Sequence, residues 1–178
     1  MVSSEEAVVL GVADGRVWLA DHSPDWSGRF TVVRARLMDV IGNLVGAIEH
    51  VGSTAVYGLV AKPMLDVAIG IVDPERIEEA ADRLAAGGFP YRGNFGDDGG
   101  VILFEGPPEA RTAVLHVVEY GGHQWSNYLV FRDALNDDPE LRDRYGKLKR
   151  ELAGRYPDDR LGYLTGKNDL IEEILGID

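Results

Sequence analysis

The chain has 178 residues, 45% hydrophobic and 27% charged, which is enough to bury one sizeable core and predicts a single domain over 1–178. A formal charge of −12 without any Lys/Arg-rich stripe excludes general DNA or RNA binding, because such a chain repels a phosphate backbone. With no cysteine there are no disulfides, thiolate metal sites or cysteine nucleophiles, so any chemistry falls to Asp, Glu, His, Lys, Tyr, Ser or Thr.

Residues 1–16 are expected to form a loose leader or an added edge strand, since Gly11 and Gly15 bracket only a few apolar residues. Acidic residues stand where a signal peptide needs positive charge, and no stretch approaches the ~18 apolar residues of a membrane span. A soluble cytoplasmic protein with no membrane partner is therefore expected. Residues 17–20 read as a short strand that opens a sheet-containing core over 17–119. Ser23-Pro24-Asp25 then reads as a helix start, with Ser as cap, Pro in the first turn and an acid favoured by the helix dipole. Trp26, Phe30, Val33, Leu37, Ile41 and Leu44 follow at spacings of three and four, one apolar stripe that packs this helix on a sheet.

Residues 47–51 are expected as the first core strand, ending in the Gly52-Ser53-Thr54 turn. Backbone N–H groups freed there would form an anion cradle, and a plain tight turn with Ser and Thr capping a short helix accounts for the same residues. A connection holding Lys62-Pro63 leads into residues 64–72, a central apolar strand carrying one charge, Asp66. A carboxylate in such a strand is costly unless it meets a metal, a cation or hydrogen bonds. Strand alternation puts Asp66, Ala68 and Gly70 on one face, with small residues that leave room for a ligand at the backbone. A two-carboxylate metal clamp would use positions 66 and 68, and position 68 is alanine.

Asp73-Pro74 starts a second helix carried by Ile77, Ala81 and Leu84 and stopped by Gly87-Gly88. Residues 89–92 and 101–105 read as strands joined by a Gly- and Asp-rich tip or lid over 93–100, where Asp97 and Asp98 are weak candidates for a metal ligand. Residues 111–119 form the last strand, with Val114, His116 and Val118 on one face; a lone strand histidine is more often a satisfied core residue than a ligand. From residue 120 the chain is helical. Trp125, Tyr128, Leu129 and Leu135 make a stripe containing Arg132, which must find a carboxylate or a phosphate: Asp66, Glu119 or a bound anion. A helix opened by Pro139 and a last helix opened by Pro157-Asp158-Asp159 read as scaffold, with Lys147, Lys149, Arg150 and Arg155 on a solvated face.

The segment E-H-V-G-S-T-A-V-x-G-L-x-A-K-P-x-x-D, running from Glu49 to Asp66, resembles the GrpB (UPF0157) family, which is nucleotidyltransferase-like. Residues 115–119 and 125–133 resemble that family's second half, so the likeness covers about residues 17–175. It implies an α+β fold, a central mixed sheet of about five strands packed by helices, with a helical C-terminal section. In that fold a Gly-Ser turn touches phosphates and strand carboxylates hold divalent metal. Gly52, Ser53 and Thr54 would then bind the phosphates of an NTP, Asp66 would hold Mg2+ with Glu119 as a second carboxylate, and Lys62 or Arg132 would neutralise phosphate during nucleotidyl transfer to a small acceptor. Family members commonly carry a second His two positions before His116, where this chain has Val114, and Pro where it has Tyr57.

Ala68 leaves the metal pair incomplete, which opens a second reading that keeps the pocket and drops the metal. Glu49, His50, Lys62, Asp66 and His116 would line a cleft for proton abstraction, dehydration or ring closure on a small organic biosynthetic intermediate, with Tyr57 as an aromatic wall or phenolic acid. A third reading is a non-catalytic module that binds a nucleotide or a partner protein.

Overall fold

The computed structural model describes residues 10–94 and 100–177. One mixed sheet holds five strands, β1 (Val45–Val51), β2 (Leu65–Ile71), β3 (Tyr91–Asn94), β4 (Val101–Glu105) and β5 (Ala113–Glu119), in the order β1-β2-β5-β4-β3. β2 and β5 run parallel, and every other neighbouring pair is antiparallel. The central strand is thus β5, with β2 beside it rather than at the centre. Both are covered on two faces, which is why β2 reads as a nearly unbroken apolar run.

Helices α1 (Asp25–Ile41) and α2 (Ile77–Ala86) cover one face. Leu65, Val67, Ile69 and Ile71 of β2 and Leu115 and Val117 of β5 meet Trp26, Leu37 and Ile41 of α1 and Leu84 of α2 in the main core. Helices α3 (His123–Asp137), α4 (Pro139–Arg155), α5 (Arg160–Thr165) and α6 (Asn168–Leu175) gather on the other face. Helix α3 lies against β1, β2 and β5, and its Trp125 packs with Val51, Ala68 and Val118.

Several local expectations are corrected. Residues 17–20 contribute one bridge, Ala20 to Ala61, instead of a strand, while Val17 is buried against Leu152 and Tyr163. Of the leader, Val12 bridges Arg111 and is buried; residues 1–9 lie outside the described residues, as do Asp97 and Asp98. Pro24 occupies the cap position of α1, and the Ser23 hydroxyl reaches only the Asp25 N–H at 3.4 Å. The last expected helix is two, α5 and α6, the first capped by Asp159, which accepts from the Gly162 N–H. Among the described residues no helix is long and apolar enough to cross a membrane.

Candidate functional site

The strand register builds the site. Asp66 pairs with Val114 and Ala68 with His116 across the parallel β2–β5 ladder, so Asp66 and His116 are diagonal neighbours on one face. The His116 Nε2 lies 3.3 Å from the Asp66 Oδ1. From α3 the Tyr128 hydroxyl lies 3.1 Å from the His116 Nδ1, with the two rings 4.9 Å apart. Burial pushes the Tyr128 hydroxyl up from its ordinary value, so it keeps its proton. Tyr128, His116 and Asp66 form one hydrogen-bonded line.

The turn after β1 is pinned to the same carboxylate. Gly52 has φ +64°, and a Cβ there would stand 2.5 Å from the Asp66 Oδ2, so only glycine lets the turn pass under Asp66. The short 3₁₀ turn Ser53–Ala55 follows, with the Ser53 side chain hydrogen-bonded to Tyr145 and the Thr54 hydroxyl 2.9 Å from the His50 Nε2.

A cavity of about 350 Å³ opens over Asp66 and His116. Five cationic side chains line it, Lys62, Arg92, Arg111, Arg160 and Lys167, against two carboxylates, Asp14 and Asp66. Asp14 is shared by Arg92 at 3.4 Å and Arg111 at 3.7 Å. Lys62, Arg160 and Lys167 make no ion pair among the described residues. The Lys167 ammonium sits 4.5 Å over the Tyr163 ring, and burial pulls it down to about 8, with Asp66 opposing the shift. Burial lowers Lys62 as well. In a chain of net charge −12 this is a local positive well, able to hold an anion that the rest of the surface repels. A second cavity of about 260 Å³ adjoins the first and shares Ser53, Asp66, His116 and Lys167 with it.

Of the residues expected at the site, Asp66, His116, Lys62, Ser53 and Thr54 line the main cavity and Gly52 lines its neighbour. The others lie elsewhere. His50 pairs with Val67 on the opposite face, stacks on Phe30 at 4.9 Å, and is pushed down to about 4 by burial, so it is a neutral core residue. Glu49 shares the Asp66 face but is held by Arg132 at 2.8 Å and lines neither cavity. Arg132 thus finds Glu49, together with the His50 carbonyl at 3.1 Å and Asp133, in place of Asp66, Glu119 or an anion. Tyr57 is 76% exposed and leans on the His22 ring, outside the cleft. Glu119 pairs with Ile71, five residues along the ladder from the Asp66 pair. Roughly 17 Å of strand separates them, so Glu119 is no second carboxylate for Asp66.

The space beside Ala68 and Gly70 also has another tenant. Ala68 is fully buried, and a Cβ at Gly70 would meet the Trp125 ring at 2.9 Å, so these small residues admit α3 and not a ligand. Magnesium takes oxygen ligands, usually carboxylates and substrate phosphates. Here one carboxylate, already bonded by an imidazole, faces cations, and no group of three metal-ligating side chains converges among the described residues. This donor set does not fit a carboxylate-clamped magnesium site.

Residue-type reasoning missed Arg111, Arg160, Lys167 and the role of Tyr128. It also placed Lys149 on a solvated face, whereas Lys149 is 1% exposed, with Nζ unpartnered by hydrogen bonds and 5.2 Å over the Tyr145 ring. A signal existed: position 149 stands four after Tyr145 and three before Leu152, inside the buried stripe of α4.

Residues 16–176 match the profile of the family described as GrpB protein. Glutamate-rich protein GrpB of Alkalihalophilus pseudofirmus is 34% identical over 171 residues, covering 94% of this chain and 98% of that protein. The crystal structure of conserved protein GrpB from Enterococcus faecalis superposes with a TM-score of 0.81 at 29% identity, covering 89% of this chain and 95% of that one. A crystal structure of the Cid1 poly(U) polymerase with MgGTP bound superposes with a TM-score of 0.51 at 13% identity, covering 76% of this chain and 44% of that one, a likeness of fold alone.

Proposed function

The chain belongs to the GrpB family and has a nucleotidyltransferase-like fold, and from that premise we propose an enzyme that acts on a small phosphate-bearing substrate. One observation carries the reading: five cationic side chains surround the Asp66–His116 pair in a single cavity of an otherwise strongly acidic chain. A nucleoside triphosphate is the substrate class that the distant fold neighbour suggests. Its phosphates would lie against Lys62, Arg111, Arg160 and Lys167. Asp66, oriented by its hydrogen bond with His116, would take the proton of an acceptor hydroxyl as that oxygen bonds to the α-phosphorus. The bond from phosphorus to the departing pyrophosphate breaks, and the cations receive the charge that develops on it. Tyr128 and His116 hold the carboxylate in place.

A second reading is favoured by the Tyr128–His116–Asp66 line and by the missing second carboxylate. The same residues would perform metal-independent proton transfer on an anionic organic substrate, with Asp66 as base and the cations holding a carboxylate or phosphate. Calorimetric titration of ATP and GTP, first with magnesium and then with EDTA, separates the two. Binding in both buffers, with turnover abolished in Asp66→Asn, supports nucleotide chemistry on a cation-lined site. Absence of binding in either buffer removes the nucleotide and leaves acid–base chemistry on another anion.

A further inference from the structure

We infer that the second cavity is an acceptor chamber for a neutral, aromatic or apolar small molecule that carries a hydroxyl group. This deepens the phosphate-transfer reading and rests on it for the chemistry, while the chamber itself rests on the structure. The two cavities touch only at Ser53, Asp66, His116 and Lys167, and they differ in character. The first is walled by cations. Away from those four shared residues the second is walled by Tyr128, Phe131, Tyr145, Ile171 and Leu175, with Asn127 as the polar exception.

Its tyrosines present ring surface rather than polar ends. The Tyr128 hydroxyl is committed to the His116 Nδ1, and the Tyr145 hydroxyl bonds Ser53. Asn127 makes no side-chain hydrogen bond among the described residues and is left as the group that would read a ligand's polar atom. At about 260 Å³ the chamber falls just below the usual range for small-molecule sites, which suits a one- or two-ring alcohol. Its charged or titratable wall groups, Asp66, His116 and Lys167, all lie at the boundary it shares with the first cavity.

Asp66 is the one carboxylate common to both cavities. A hydroxyl in the apolar chamber therefore meets its base at the junction, with the phosphorus arriving from the cationic side. The proton passes to Asp66, the oxygen–phosphorus bond forms, and the phosphate leaving group departs into the cationic cavity. The division of labour needs no movement of either substrate past the other.

Amide resonances of the ¹⁵N-labelled full chain test this, with 2-naphthol and tryptophol as neutral aromatic alcohols and inorganic tripolyphosphate as the anion. The alcohols are expected to shift Asn127, Phe131, Ile171 and Leu175 saturably. Tripolyphosphate is expected to shift the surroundings of Lys62, Arg111 and Arg160, and both probes bind together with affinities within about threefold of their separate values. Ile171→Trp, which fills the chamber, should weaken the alcohols about tenfold and leave tripolyphosphate unchanged; Asn127→Leu provides a second, milder variant. The inference is overturned if neither alcohol shifts those amides, or if tripolyphosphate displaces the alcohols. Alcohol binding without any tripolyphosphate binding would uphold the chamber and sink the phosphate reading, so the two failures are distinguishable.

Discussion

At the scale of a single residue, burial sets the charge of Lys167. Its ammonium is partly buried on a tyrosine ring and is pulled down to about 8, so its charge is present at neutral pH and is lost as pH rises through that value. Affinity for an anion should therefore fall between pH 7 and 9, and Lys167→Arg should flatten the profile, since guanidinium keeps its charge. A titration with tripolyphosphate across that range checks this, and an unchanged affinity in the wild-type chain would count against Lys167 as a ligand. Stability should move the other way. The unfolded chain holds the proton up to the ordinary 10.5, so it binds more protons than the folded one between about 8 and 10.5, and the unliganded fold gains stability as pH rises there. Gly52 makes a steric prediction at the same scale. Gly52→Ala places a methyl carbon 2.5 Å from the Asp66 carboxylate in a backbone region unfavourable to alanine. It should cost about 1–3 kcal/mol in denaturant unfolding and displace Asp66. Unaltered stability and binding would contradict the close approach.

At the level of elements, α3 is the piece that determines what the site is. Its Trp125 fills the space over Ala68 and Gly70, its Tyr128 orients His116, and its Arg132 ties Glu49 of β1 to the helix. Arg132→Met should cost about 1 kcal/mol, a modest figure because both partners are partly solvated, and leave tripolyphosphate affinity within about twofold. A large loss of anion affinity would mean that Arg132 does contact the ligand. In α4, Lys149→Met removes a buried amine that has no hydrogen-bond partner and keeps most of its volume, so a gain of about 1–2 kcal/mol in unfolding free energy is expected. Destabilisation would reveal a partner for the amine.

The same elements explain what could be read in advance. Strand periodicity located β2 and put Asp66 opposite the core face, and three-and-four spacing located the buried stripe of α1, because both signals come from local repetition. Pairing is non-local. The step that sets His116 beside Asp66 and sends His50 to the other side of the sheet depends on the register among β1, β2 and β5. Likewise Arg160 opens the short helix α5 and Lys167 lies in the turn just before α6, elements whose own pattern says only that they are amphipathic or exposed. Their convergence on Asp66, nearly a hundred residues away in sequence, is a property of the packed chain.

Across the whole molecule, an acidic surface encloses a cationic well. That contrast makes a sharper functional statement than any single side chain, because a net charge of −12 repels anions generally while the cavity concentrates five cations on two carboxylates. The nucleotidyltransferase-like fold supplies the Gly-Ser turn and the strand carboxylate, and the site departs from a metal clamp at Ala68 and at Glu119. The most direct test is calorimetric titration of ATP into the wild-type chain and into the Arg160→Ala, Lys167→Ala double variant, at one ionic strength and in EDTA. Loss of two charge-assisted contacts predicts an affinity about 100-fold lower in the double variant, with thermal stability retained. Equal affinities would contradict a cation-lined phosphate site.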